Sequence, residues 1–256
     1  HIGAIPYIMD KIGNPPLYSR NLTTLMIKKR QEEFTHLPPI DIRVVEKNDR
    51  ITVGDLTLKF FAVTHTIPDS MGIMIETPYG NIVHTGDLKL DHNDGVPTDA
   101  EVDSFEPLSK ENNLMLLADS TNVERPGFSI PEKVVFKNIE KIIREIEGRL
   151  IVATFSSLLE RLIKVIEVSE KLGKKIVVDG RSMKNNIEIA KLAGMLVVQK
   201  DTMIPIEQMD NYPPDRIIVL ATGAQGDEFA SLMRAANRTH KYLKINKRDT
   251  VLLSSS

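Results

Sequence analysis

The chain contains no cysteine and no tryptophan. Without cysteine there is no disulfide framework, no zinc ribbon and no thiol nucleophile. A dominant charge is missing as well: 33 Lys+Arg stand against 35 Asp+Glu, and 41% of residues are hydrophobic. That balance excludes a disordered polyelectrolyte and fits a globular chain. No apolar run is longer than a strand, so a membrane-spanning helix is not expected. No basic segment followed by an apolar stretch opens the chain, so a signal peptide is not expected either. An initiating methionine is also lacking. The first residue is His1, and Thr250 to Ser256 reads as a strand without a following turn. The 256 residues are therefore expected to be a stretch of a longer chain. The length allows one large domain or two small ones with an adequate core.

What is present changes character along the chain. Ile2 to Ile12 is apolar and ends at Gly13; Asn14-Pro15-Pro16 breaks it, and Leu17-Tyr18-Ser19 predicts a short strand. Asn21 is the expected cap of a helix reaching Phe34. From 41 to 86 the period becomes two: Ile42, Val44, Ile51, Val53, Leu56, Leu58, Phe60 and Ala62 alternate with polar residues. Pro78-Tyr79-Gly80 predicts a hairpin turn between strands at 71–77 and 81–85. A helix near 101–110 and a strand at 114–118 follow, and 124–131 reads as a linker. After it, helices are expected at 132–147, 157–172, 182–193 and 227–237. Strands are expected at 150–155, 176–179, 196–199, 217–221 and 250–254. Such alternation predicts a parallel sheet covered on both faces, so the fold class is α/β.

Charge divides with this change of pattern. Residues 1–130 hold 12 Lys+Arg and 19 Asp+Glu, a balance of −7; residues 131–256 hold 21 and 16, a balance of +5. The plain explanation is scatter on solvated helix faces. The functional one is an acidic half that binds metal and a basic half that meets a polyanion.

With no thiolate, a transition-metal site must use imidazole and carboxylate. His65 closes one predicted strand and Asp87 closes another, and residues just past strand ends line clefts. A structural histidine is the competing reading for His65. It is the preferred one for His36, His92 and His240, which lack a surrounding motif, and for His84, whose Nδ1 could at most brace Asp87. Gly180-Arg181-Ser182 and Thr222-Gly223-Ala224-Gln225-Gly226 each sit between a predicted strand and a helix. Such turns can offer N–H groups to a phosphate, or the glycines can simply permit the turn.

Several segments carry a resemblance beyond these patterns. They are Val63-Thr-His-Thr-Ile-Pro-Asp-Ser70, Ile82-Val-His-Thr-Gly-Asp-Leu-Lys89, Leu117-Ala-Asp-Ser-Thr-Asn122, Ile151-Val-Ala-Thr-Phe-Ser-Ser157, Gly180-Arg-Ser-Met183 and Thr222-Gly-Ala-Gln-Gly-Asp-Glu228. In order and spacing they resemble the ribonuclease J family, β-CASP nucleases of the metallo-β-lactamase fold. The resemblance implies an incomplete αβ/βα sandwich over 1–128 and a β-CASP domain over 129–256. It makes His1-Ile-Gly-Ala-Ile-Pro-Tyr7 the continuation of a His-x-His-x-Asp-His motif, with His1 its last residue. It implies two divalent metals, zinc or else manganese or magnesium. His65 would ligate the first metal, His1 the second, and Asp87 would bridge them. Asp119 would be the acidic β-CASP residue that orders histidines during catalysis. Arg181, Ser182, Gly223, Gln225 and Gly226 would meet RNA phosphates. Ala224 departs from the serine common in relatives, which removes one hydroxyl from that turn.

The resemblance further implies a cytoplasmic ribonuclease acting on single-stranded RNA, as a 5′-to-3′ exonuclease, an endonuclease or both. The parent would be a homodimer or homotetramer, and this stretch alone would be inactive and would expose a sheet edge. Two alternatives stand beside it. One is another hydrolase of the same sandwich, since fold does not set substrate. The other is a non-catalytic RNA-binding fragment, since most of the first metal's ligands precede His1.

Overall fold

The structure, a computed structural model, describes residues 2–254. It divides into two compact units, His1–Glu132 and Lys133–Ser256.

In the first unit a 3-10 turn at Ile2–Ala4 leads into α1 (Ile5–Ile8), and a second at Asp10–Ile12 ends on Gly13 at φ 84°. Strand β1 (Leu17–Ser19) precedes α2 (Asn21–Gln31) and pairs in parallel with β2 (Ile42–Val44). Asn21 is not the cap of α2. Arg20 takes that position without a side-chain cap, and Asn21 is the first helical residue. The orphan donors are met from far away instead: Thr23 N–H donates to Asp69 Oδ2 at 3.1 Å, and Thr23 Oγ1 donates to Oδ1 at 2.9 Å. A carboxylate at a helix N-terminus also suits the helix dipole.

The main sheet of this unit follows. Its strands are β3 (Arg50–Val53), β4 (Leu56–Ala62), β5 (Met71–Glu76) and β6 (Asn81–His84). A small hairpin, β7 (His92–Asn93) with β8 (Val96–Pro97), leads to α3 (Asp99–Ser109) and then β9 (Asn113–Leu117). The order is β3-β4-β5-β6-β9; the first four strands are antiparallel, and β9 joins β6 in parallel. Phe61, Val63, Met74 and Val83 form the core, with Leu88, Phe105 and Leu108 against them. Phe61 is paired with Gly72 across the ladder. A Cβ on Gly72 would lie 2.1 Å from the Phe61 ring, so only glycine lets the ring lie flat there. The outer strand β9 leaves Leu114, Met115, Leu116 and Leu117 exposed. No helix or strand interrupts 118–131.

In the second part of the chain α4 (Glu132–Glu145) precedes a parallel sheet. Its strands and helices are β10 (Leu150–Thr154), α5 (Leu159–Lys171), β11 (Lys175–Asp179), α6 (Arg181–Leu192), β12 (Met203–Ile204), β13 (Ile217–Ala221), α7 (Ser231–Ala236) and β14 (Thr250–Ser254). The order is β12-β11-β13-β10-β14, every pair parallel. All of β10 and β13 is buried, as a sheet covered on both faces requires. Ile151, Ala153, Val177, Ile217, Val219 and Ala221 face Leu232 and Ala235 of α7 and Met209. Their neighbours along each strand point to the opposite face.

Two predicted elements differ from the structure. Residues 196–199 do not form a strand: only Leu196 is buried there, Val197 is exposed, and the edge strand is the later Met203–Ile204. The helix predicted at 227–237 starts at Ser231, because the Ala230 N–H closes a turn on Asp227 O.

The start of β10 is tied to the chain's end by a buried ion pair. Arg149 Nη2 lies 2.5 Å from Asp249 Oδ2 and also donates to Lys244 O. Arg149→Met alone should cost about 3–5 kcal/mol in urea unfolding, because it strands the buried Asp249 carboxylate. Replacing both by apolar residues should cost much less. Gly72→Ala should cost about 1–3 kcal/mol by displacing the Phe61 ring, and Gly72→Ala with Phe61→Leu should recover part of it.

Candidate functional site

Strand direction assembles the first unit's site. Strands β4 and β6 are both antiparallel to β5, so they run the same way, and β9 runs with β6. Their carboxyl ends therefore share one edge, where Thr64-His65, Gly86-Asp87 and Ala118-Asp119 leave the sheet. Backbone bonds fasten the three segments together. Thr85 N–H donates to Leu117 O at 3.0 Å, and Lys89 N–H donates to Thr64 O at 2.7 Å. Leu88 N–H donates to Asp119 Oδ2 at 3.2 Å, and Asp119 N–H donates to Thr85 Oγ1 at 3.2 Å.

His65 Nε2 lies 3.9 Å from Asp87 Oδ2. His65 Nδ1 is buried without a hydrogen-bond partner, which is costly for an imidazole unless a ligand meets it. Asp119 is held as a carboxylate. The Thr121 hydroxyl, then the Thr121 N–H, lower its pKa below the usual range, with smaller help from Leu88 N–H and the nearby His65, against the cost of burial.

Nitrogen and carboxylate donors of this kind suit zinc or manganese, and the orphaned His65 nitrogen fits a metal ligand. His1 lies outside the described residues. Among the described residues, no group of three or more His, Asp or Glu gathers closely enough to hold a metal ion. Among them, His65 and Asp87 are two candidate donors facing each other. His84 does not brace Asp87; its Nδ1 accepts the Gly86 N–H at 2.9 Å and shapes the turn that Asp87 follows. His92 is structural, as expected: its Nε2 lies 2.7 Å from Ser129 O, its Nδ1 accepts the Gly95 N–H, and its ring meets Phe128. His36 packs near Phe34.

The second unit has an edge of its own. The chain passes from β10 to β11 through α5, on to the outer strand β12 through α6, and then returns through β13 and α7 to β14. The first two crossovers run in one direction and the last in the other. With right-handed connections their helices cover opposite faces, and a crevice opens above β13. The two glycine turns leave adjacent strands there. Gly180, at φ 109°, sits so close to Thr222 that a Cβ would meet its methyl at 2.9 Å. Arg181 and Ser182 are exposed in the first turn of α6. Gln225 is exposed, whereas Gly223 is buried. Gly226 donates its N–H to Gly223 O at 3.1 Å, so it closes the turn rather than offering a donor. Because α7 begins only at Ser231, this second turn is a loop and not a helix start.

Beside it lies a buried polar group that sequence patterns do not reveal. Asp179, the last residue of β11, accepts hydrogen bonds from Ser231 Oγ and from His240 Nε2, the latter at 2.7 Å. Arg234 Nη2 approaches the same oxygen at 3.9 Å. These residues are up to 61 positions apart, and only an aspartate closing an otherwise apolar strand hinted at them.

Comparison with known proteins agrees with this division. Residues 1–127 match the model of the metallo-beta-lactamase superfamily, and residues 147–256 match that of the ribonuclease J beta-CASP domain. A ribonuclease J of Thermus thermophilus is 38% identical, over all of this chain and 46% of its own length. Ribonuclease J 1 of Streptococcus pyogenes is also 38% identical, over all of this chain and 45% of its own. The chain therefore spans about half the length of the curated relatives it matches. A solved structure from Enterococcus faecalis, described as a protein of unknown function, shares the fold at a TM-score of 0.60 and 17% identity, over 80% of this chain and 52% of its own. With one model on each half and relatives matched from end to end, the chain is similar to ribonuclease J along its whole length, a metallo-beta-lactamase match followed by a ribonuclease J beta-CASP match.

Proposed function

We propose that the protein carrying this chain is a metal-dependent ribonuclease that cuts single-stranded RNA, as a 5′-to-3′ exonuclease, an endonuclease or both. One observation carries the reading: His65, Asp87 and Asp119 converge on one sheet edge in a chain that matches ribonuclease J along its whole length. His65, Asp87 and His1 would hold two divalent cations, zinc or else manganese or magnesium. When bound, such cations lower the pKa of a water and polarise a phosphate, which explains why no serine or cysteine nucleophile is needed.

The chain's own residues would do the rest. Asp87, fixed by the turn after β6, directs a carboxylate toward His65. Asp119 stays ionised under the Thr121 hydrogen bonds, so it can orient an imidazole without competing for its proton. The basic second unit would hold the RNA strand through phosphate contacts, with Arg181, Ser182 and Gln225 as exposed donors. The proposed setting is cytoplasmic and the assembly a homodimer or homotetramer. Among the described residues, no helix is long and apolar enough to cross a membrane.

In the full-length protein, Asp87→Ala and His65→Ala should each reduce RNA cleavage by more than about 100-fold, the upper range for losing even a supporting residue of a metal site. Chelation should abolish cleavage, and zinc or manganese should restore it. The proposal fails if the unsubstituted protein leaves RNA intact with either metal, or if cleavage survives both chelation and Asp87→Ala. A second test concerns Asp119 in the metal-free chain. Thr121→Val should raise its pKa toward the ordinary value near 4, read by carboxyl NMR titration. The stability that the lowered pKa contributes is full above about pH 4 and fades as pH falls through the folded-state pKa. The difference between the two proteins should therefore shrink on acidification.

A further inference from the structure

We infer that Arg234, aimed by Asp179, is a phosphate-binding residue for the RNA strand at the carboxyl edge of the second unit's sheet; this rests on the ribonuclease reading. Arg234 lies on α7, beside the crevice between β11 and β13. Its guanidinium is 3.9 Å from Asp179 Oδ2, and its side chain is 44% exposed while that of Asp179 is 12% exposed. One side of the cation therefore faces a buried carboxylate and the other faces water.

Asp179 does not need Arg234 to satisfy it. The carboxylate already accepts the Ser231 hydroxyl and His240 Nε2. His240 is fixed in turn, because its Nδ1 accepts the N–H groups of Tyr242 and Leu243 at 3.2 and 2.9 Å. That arrangement assigns the ring proton to Nε2, pointing at Asp179. The backbone of Arg234 is equally settled: its N–H donates to Ala230 O, and its carbonyl accepts from Thr239 and His240. At 3.9 Å the carboxylate steers the guanidinium by charge and leaves its planar fork of donors for another acceptor.

The place suits a phosphate. Gly180 and Thr222 bring the two turns together, and Arg181 is exposed at the start of α6. The loop before α7 also carries the exposed carboxylates of Asp227 and Glu228, which repel a polyanion. A cation held in position offsets them. The competing account makes Arg234 only a counter-ion for Asp179, and it makes a different prediction for the double variant.

The test uses the full-length protein and a fluorescein-labelled oligouridylate of about 15 nucleotides, with anisotropy followed across a salt series. Arg234→Gln should weaken binding about tenfold, and the slope of log K against log salt should become shallower by about 0.7, the value of one phosphate contact on a single strand. Arg234→Lys should keep the slope and lose part of the affinity. Asp179→Asn with Arg234→Gln should stay as weak as Arg234→Gln alone, with circular dichroism showing that both variants fold. An unchanged affinity and slope in Arg234→Gln would overturn the inference, as would a double variant that regains full affinity. If the unsubstituted protein cleaves RNA and only these outcomes fail, the ribonuclease reading survives. If it neither binds nor cleaves the RNA, that reading falls and this inference falls with it.

Discussion

In both units the candidate chemistry sits where strands running in the same direction come to an end. A carboxyl end of a strand is one of the few places where a rigid backbone stops and a side chain can turn into a cleft. Two antiparallel steps, β4 to β5 and β5 to β6, restore the original direction, and β9 then joins in parallel. That parity puts His65, Asp87 and Asp119 on one edge. Had β9 paired in the other sense, Asp119 would leave the sheet at the opposite end. In the second unit every strand is parallel, so all the turns after the strands share one edge. The reversal of crossover direction at β13 then opens that edge between two layers of helices.

Carboxylates do much of the organising, each by accepting several donors at once. Asp69 caps a helix some 46 residues away. Asp119 collects the N–H groups of Leu88 and Thr121 together with the Thr121 hydroxyl. Asp179 joins Ser231 to His240, and Asp249 joins Arg149 to the Asn246 N–H. A carboxylate has two oxygens and no donor of its own, so it suits a junction where loops present N–H and O–H groups. The excess of acidic residues in the first half is therefore partly architectural, and net charge alone does not assign them to a metal.

Much of the fold was legible in local pattern. The strands between Ile42 and Ala62, the hairpin turn at Pro78-Tyr79-Gly80, and the alternation of apolar strands with amphipathic helices after residue 132 all match the structure. The core, however, takes Phe61 and Val63 rather than the predicted face, whose Val44, Val53 and Leu56 are exposed. The misreadings have a common cause. Met195 to Val198 is apolar enough for a strand, yet only Leu196 is buried, because the sheet edge is already formed by Met203–Ile204. Asn21 is a good cap by type, but Asp69 supplies the acceptor from another part of the chain. Residues 227–230 have helical neighbours but are held in a turn by the Asp227 carbonyl.

The sequence by itself determined which residues could do chemistry. A chain without cysteine must use histidine and carboxylate, and His65 and Asp87 stand out because each follows an apolar strand, whereas Asp119 enters only through the resemblance. It also carried the resemblance to ribonuclease J, through short motifs that keep their order from end to end. Only the tertiary structure decided which of these residues meet. It brought His65 within reach of Asp87, turned His84 away toward Gly86, and built a network from Asp179, Ser231, Arg234 and His240. The reason is physical. Periodicity records which face of an element is buried, a local property, whereas a site depends on strand order and direction, which arise only when distant segments pair.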